Sequence, residues 1–355
     1  MKISTKISIV LLLLSVACTK SDKNIIKINA EHIIENEASI IELSELSQAI
    51  DIITLETNDI SLIGKIDDVV FYNDLLIILW EGNCSLFGIN GNFLSHLGIR
   101  GNGPKEYRYF EYVFVFDNTI ILYDSSKNKI FKYNTQGEFI AEHEVPINLR
   151  SSRGAYKIND TSIGFYLPDK GYDKNWKIIQ MIDLNGAIGD SIVVPSKLMA
   201  FSNVNWYFKE GFIVENQQKE LRLKYTFNDT IFTINNDNGN YLLTPTFLFE
   251  LGKYSAVENA REKAFKAMFS SRRYDPFSTM AKIEFLGESN KFLFFSINGN
   301  REYFFDKNNM KYYKYEVKYG TSESLRLLKI DSCGNLWGEI EEDNNNVKLI
   351  RAYIE

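Results

Sequence analysis

Cysteine, histidine and proline are scarce in this chain: three, three and six in 355 residues. With so few cysteines there is no disulfide framework, and no Cys-x-x-Cys spacing occurs. His32, His96 and His143 stand in different contexts, which argues against a histidine-based zinc site. No metal and no cofactor is therefore expected. Positive charge is also in deficit. The net charge is −6, and it becomes −8 once Lys2 and Lys6 of the leader are removed. Phosphate binding needs a basic footprint, so nucleic acid is not an expected partner. Missing too are a Gly-x-Ser-x-Gly elbow and any nameable pairing of nucleophile and base, so no catalytic residue is assigned. Gly101-x-Gly103 is not a phosphate loop, because neither a strand-to-helix context nor Lys-Ser/Thr follows it. The acidic runs Asp67-Asp68 and Glu341-Glu342-Asp343 read as solvated surface, since neighbours on a strand point to opposite faces.

Long apolar runs are absent as well. The apolar stretch Ile7 to Leu14 is too short to span a membrane comfortably. Lys2 and Lys6 precede it and Ser15-Val-Ala-Cys18 follows, the layout of a secretory signal peptide. The cysteine after small residues resembles the lipobox of bacterial lipoproteins, although Ser15 stands where Leu is usual. That resemblance implies cleavage before Cys18, a lipid on Cys18, and attachment to the membrane through that lipid alone. Ordinary secretion with a chance cysteine is the alternative. The expected layout is a signal peptide over 1–17, a lipidated N-terminus and tether over 18–50, and a β domain over 51–355.

Aromatics are plentiful, with 25 Phe and 20 Tyr, and with the many Ile residues they favour strands. Strand follows short strand from about residue 50. The clearest unit is Ile66–Tyr72, Leu75–Trp80, Cys84–Ile89 and Asn92–Ile99, with Asn90-Gly91 as a strong hairpin signal. Tyr112–Phe116, Thr119–Tyr123, Lys129–Tyr133 and Glu138–Val145 repeat it. Further copies carry turns at Asp183–Gly186, Asn235–Gly239 and Asp306–Asn309, with Asn309 standing in for Gly. The turn glycines Gly91, Gly137, Gly186 and Gly239 are spaced by 46, 49 and 53 residues. Four strands per unit at this period predict a propeller. A weaker sixth unit, Ser324–Ile330, Leu336–Glu341 and Val347–Ile354, lacks one strand. Ile52–Glu56 is expected to supply it and close the ring. The fold class is thus all-β: a six-bladed β-propeller of four-stranded antiparallel blades, with one helical insertion near 255–270 opened by the capping box Ser255–Glu258. That helix is read either as rim packing or as a lid.

Several stretches resemble a large family of predicted bacterial lipoproteins described as six-bladed β-propellers, similar in shape to NHL-repeat propellers. They are Ile53–Thr57, Ser61–Asp67, the loop Gly98–Tyr107, Phe227–Phe232 and Phe292–Phe295. The family commonly has Gly where this chain has Lys105. The resemblance implies the fold and a bacterial envelope location, with an outer-membrane lipoprotein as the expected form. It implies nothing about the ligand, because a fold is not a function.

In a propeller, the turns from strand two to three and the connections between blades share one face. On this register Arg100, Glu106, Tyr107, Arg150, Arg153 and Trp176 ring the mouth on that face. Arginine offers a planar fork for carboxylates or phosphates, and aromatics offer flat faces. The alternative for the Gly-x-Gly-Pro loop is a tight inter-blade turn braced by Glu106. Cys84 and Cys333 fall on opposite faces, so no disulfide is expected between them. The leading functional reading is a non-catalytic binder of a glycan, a peptide or an envelope protein. A propeller enzyme acting on polysaccharide or glycosidic bonds, and a structural scaffold in an envelope assembly, are the competing ones.

Overall fold

A computed structural model describes residues 25–36, 39–150, 152, 154–167, 175–195, 211–225, 229–237, 240–255, 281–298, 301–316, 318–319, 323–341 and 347–354. The signal peptide, Cys18 and the helix expected near 255–270 lie outside them. An N-terminal stretch of β1 (Ile26–Ile28), α1 (Ala30–Glu35), β2 (Ser39–Glu42), α2 (Leu43–Leu46) and β3 (Ser47–Thr54) comes first. Blade one is β4 (Ile66–Tyr72), β5 (Leu75–Trp80), β6 (Asn83–Gly88) and β7 (Phe93–His96). Blade two is β8 (Phe110–Phe116), β9 (Thr119–Asp124), β10 (Lys129–Asn134) and β11 (Phe139–Glu144). Blade three is β12 (Ala155–Asn159), β13 (Ser162–Tyr166), β14 (Asn175–Asp183) and β15 (Ile188–Pro195). Blade four is β16 (Gly211–Glu215), β17 (Leu221–Tyr225), β18 (Thr230–Asp237) and β19 (Asn240–Phe249). Blade five is β20 (Ile283–Glu288), β21 (Phe292–Ile297), β22 (Arg301–Asp306) and β23 (Lys311–Glu316). A small hairpin, β24 (Lys318–Tyr319) and β25 (Glu323–Ser324), leads into blade six, which has β26 (Arg326–Ile330), β27 (Leu336–Glu341) and β28 (Val347–Ile354).

β3 completes blade six. It runs antiparallel to β28, with Ile52 opposite Ile350 and Ile53 opposite Leu349. The ring is therefore clasped by pairing the first part of the domain with its last strand. Apolar packing follows the same plan. Among the described residues there are six core clusters, and each straddles one blade interface. The interface of blades six and one, for example, buries Ile53, Trp337 and Leu349 against Ile66, Leu76 and Phe87. A single blade has two apolar faces, and only the ring covers both.

The stretch before β3 is more than a lead-in. β1 adds a fifth strand to blade four, parallel to β19, with Ile26 opposite Phe247 and Ile28 opposite Phe249. β2 adds a fifth strand to blade five, parallel to β23. α1 leads from β1 to β2 and α2 from β2 to β3, so each helix carries the chain from one blade to the next. Ile28, Ala30 and Ile33 are buried in the core between blades four and five, and Leu43 in the next. One continuous belt thus covers the outer edges of blades four and five and forms the edge strand of blade six.

Four of the lower turns share one local device. Asn134, Asp183, Asn216 and Asp331 each accept backbone N–H bonds through Oδ1 from the residues two and four positions on. The residue three positions on then has positive φ: Gly137 and Gly186 at 84°, Lys219 at 60° and Gly334 at 79°. Blade five departs from the expected turn. Its left-handed residue is Met310, at φ 55°, rather than Asn309. Asn309 instead donates its backbone and side-chain N–H groups to the Asp306 carboxylate.

Candidate functional site

The upper face carries the turns from strand two to three and the connections between blades. Its most fully described part is the loop 98–109, between blades one and two. Gly98, at φ 74°, lets the chain turn where a Cβ would meet the Tyr133 hydroxyl at 2.5 Å. A bridge between Arg100 and Tyr107 folds the loop on itself. The Glu106 carboxylate accepts the Gly103 N–H at 2.6 Å. Lys127 Nζ donates to the carbonyls of Glu106 and Gly103 at 2.5 and 3.1 Å. Lys105, at φ 59°, takes the left-handed conformation that suits the glycine expected there. The buried Asp124 carboxylate accepts the N–H groups of Arg108 and Lys127 at 2.6 and 2.9 Å.

The six mouth residues expected from sequence separate into three groups. Arg100 and Arg150 are exposed. Glu106 and Tyr107 turn inward. Tyr107 stacks on Phe110 with ring centroids 3.9 Å apart, and its hydroxyl donates to Asn83 Oδ1 at 2.9 Å. Burial pushes that hydroxyl up to about 12. Arg153 and the side chain of Trp176 lie outside the described residues, although the backbone of Trp176 pairs with Val194 within blade three.

Sequence reasoning missed the groups around Arg100. Tyr109 is exposed, and its hydroxyl is raised by partial burial and then by the charges of Asp67 and Glu111, with Arg100 opposing. Glu81 adds to the same negative field. Two aromatic rings follow, Tyr112 and Tyr123, stacked with centroids 6.2 Å apart. Burial raises both hydroxyls, with Glu111 adding to the effect, and Arg150 opposes it at Tyr123. Asn128 fixes the next loop. Its Oδ1 accepts from Tyr123 OH and Leu149 N–H, and its Nδ2 donates to the carbonyls of Val145 and Ile147. Beside this polar sector lie apolar side chains in the open. Ile60, Leu62 and Ile99 are 70%, 56% and 71% exposed. His96 Nε2 lies 2.7 Å from the Ile60 carbonyl, which ties the loop 55–65 to the end of β7, three residues before Ile99.

Two cavities of about 320 Å³ open on the lower face instead. One lies between α2 and blade five, lined by Leu46, Lys291, Phe292 and Asp306. The other lies between blades three and four, lined by Ile158, Lys219, Thr233 and Tyr241. Blades four and five are also joined by a buried ionic network. Arg222 donates to Glu288, Glu220 and Thr233, and Lys307 Nζ lies 2.8 Å from the second Glu288 oxygen. Every charge in it has an opposite partner, the condition under which buried charge is tolerated. Cys84 is buried and Cys333 exposed, and both thiols are free. Among the described residues no group of His, Cys, Asp and Glu could hold a metal ion. No helix among them is long and apolar enough to cross a membrane.

This chain belongs to the family described as a domain of unknown function, DUF4934, whose profile matches residues 25–346. A protein of Bacteroides fragilis described as exported has a similar structure, with a TM-score of 0.62 and 18% identity, over 89% of this chain and all of that one. A member of the DUF4221 family from Bacteroides vulgatus scores 0.46 at 12% identity, over 87% of this chain and 97% of that one. Virginiamycin B lyase from Staphylococcus aureus also scores 0.46, at 11% identity, over 86% and 99%. At 18% identity the first likeness is one of fold. No curated protein matches the sequence.

Proposed function

We propose that this chain is a lipid-anchored protein of the bacterial envelope, held at the outer membrane through Cys18, that binds a protein partner on the upper face of blades one and two. The anchoring reading is supported by the basic start, the apolar run and Ser15-Val-Ala-Cys18. The binding reading is carried by one observation: three large aliphatic side chains, Ile60, Leu62 and Ile99, stand more than half exposed beside Arg100 and Tyr109. Exposed apolar groups rimmed by polar ones mark interaction sites, and aromatic and Arg anchors dominate binding energy. The loop is braced by its own hydrogen bonds, so little ordering entropy is lost on binding. The test is affinity capture from envelope extracts with the native chain and with Ile60→Asp/Ile99→Asp. A partner captured by the native chain and lost with the variant supports the reading. An identical set of captured proteins from both contradicts it. The anchor is tested separately: Cys18→Ala should move the protein from the membrane fraction to the soluble one or leave the leader uncleaved, and unchanged fractionation and processing contradict it.

A further inference from the structure

We propose that the cavity between blades three and four is a second binding site, for an acidic saccharide (a sugar ring that carries a carboxylate), with Lys219 as its anion-binding group. It lies apart from the Arg100–Tyr109 sector and does not depend on it. Its volume of about 320 Å³ is at the lower end of the range of small-molecule sites. Ile158 and Ile234 belong to the core between the two blades and give the cavity an apolar floor. Asn236 lies two residues beyond Ile234 on β18, so both project from one face. It pairs across the hairpin with Tyr241, whose half-buried ring is a further wall. Asn159, at the end of β12, lines the cavity from blade three. Amides both donate and accept hydrogen bonds, which suits hydroxyl groups. An aliphatic floor and a flat ring suit the C–H face of a sugar.

Lys219 supplies the charge. In the same turn device, other blades place Gly137, Gly186 and Gly334, yet Lys219 holds φ 60° without being glycine. Backbone strain kept at a cavity wall points to a use for the side chain. Among the described residues no carboxylate pairs with its ammonium. Glu220, the acidic side chain on the wall, is already engaged. It accepts from Arg222 at 2.6 Å and from Asn216 at 3.2 Å. The cavity therefore presents one positive charge to a ligand, and an ammonium bonds a carboxylate strongly. Inorganic phosphate or a bare dicarboxylate would meet Lys219 and leave Ile158, Ile234 and Tyr241 uncovered. A neutral sugar would cover them and leave Lys219 without a partner. A sugar acid satisfies both.

The test is saturation-transfer NMR with calorimetric titration of the processed full-length chain. The probes are galacturonate, glucuronate, mannuronate and N-acetylneuraminate, with galactose and inorganic phosphate as controls. At least one sugar acid is expected to bind severalfold more tightly than either control. Lys219→Gly should weaken that binding about tenfold or more, the worth of a hydrogen bond to a charged group. The same variant should unfold at a higher temperature, so lost binding is not lost folding. Lys219→Met, which keeps most of the stem and removes the charge, should weaken binding equally. No binding of any of the sugar acids, equal binding of galactose or phosphate, or unchanged affinity in both Lys219 variants overturns the proposal.

Discussion

Arg100 and Tyr107 are bridged in one loop and end in opposite environments. The guanidinium is in water, while the phenol is stacked on Phe110 and bonded to Asn83. Residue chemistry also decides where pH acts. Glu302 lies opposite Ser296 on blade five, and burial raises its carboxyl from 4.5 to about 7. A raised carboxyl disfavours the folded state once it must ionise. Its contribution is therefore fully present below about pH 4.5 and is lost as pH rises through 7. The loss is on the order of 2 kcal/mol after solvent screening. Glu302→Gln should flatten this part of the stability–pH curve, measured by urea unfolding between pH 4 and 8; an unchanged curve contradicts the assignment. In the network between blades four and five, Glu288→Ala leaves Lys307 with the Ser289 carbonyl in place of a carboxylate and Arg222 with Glu220 as its remaining charge partner, and should cost about 3 kcal/mol. A midpoint shift below a quarter of that would show the network to be solvated. The inward fate of Glu106 and Tyr107 was not legible in the sequence. A loop's residue types name its possible chemistry, but its side-chain directions depend on Asp124 and Lys127, which come from another strand and turn.

At the scale of elements, turn chemistry made the strand register readable. Asn90-Gly91, Asn134–Gly137 and Asp183–Gly186 sit where the left-handed turn residue is required. Cys84 and Cys333 fall in different blades and remain free, as that register predicts. Lys219 occupies the same left-handed position without being glycine, at φ 60°. Lys219→Gly should therefore stabilise the domain by about 1 kcal/mol, the strain relieved less the entropy glycine adds. Thermal unfolding checks it, and a lowered midpoint would mean the Lys219 side chain contributes more than its backbone costs. β1 and β2 escaped the sequence reading because they are three and four residues long and pair in parallel with distant strands. So short a segment has no measurable alternation, and its partners lie more than 200 residues away.

The molecule as a whole is a ring with a belt. Closure by β3 could be read from sequence, because blade six was one strand short and Ile52–Glu56 had the right pattern. The belt's wider role could not. Removing residues 19–46 while keeping β3 should expose the partners of Ile28, Ile33 and Leu43. At about 1.5–3 kcal/mol for each buried aliphatic, the cost is about 5 kcal/mol or more. An unchanged unfolding temperature would show the belt to be ornamental to stability. The belt starts on blade four, and across the ring blade one carries the open apolar and polar sector. The most direct test of the proposed binding at that sector is photo-crosslinking in living cells, with the reactive residue placed at position 99 or, as a control on another blade, at position 310. Position 99 is predicted to give a discrete protein adduct and position 310 none. A protein adduct at 310 with nothing at 99 would contradict the account.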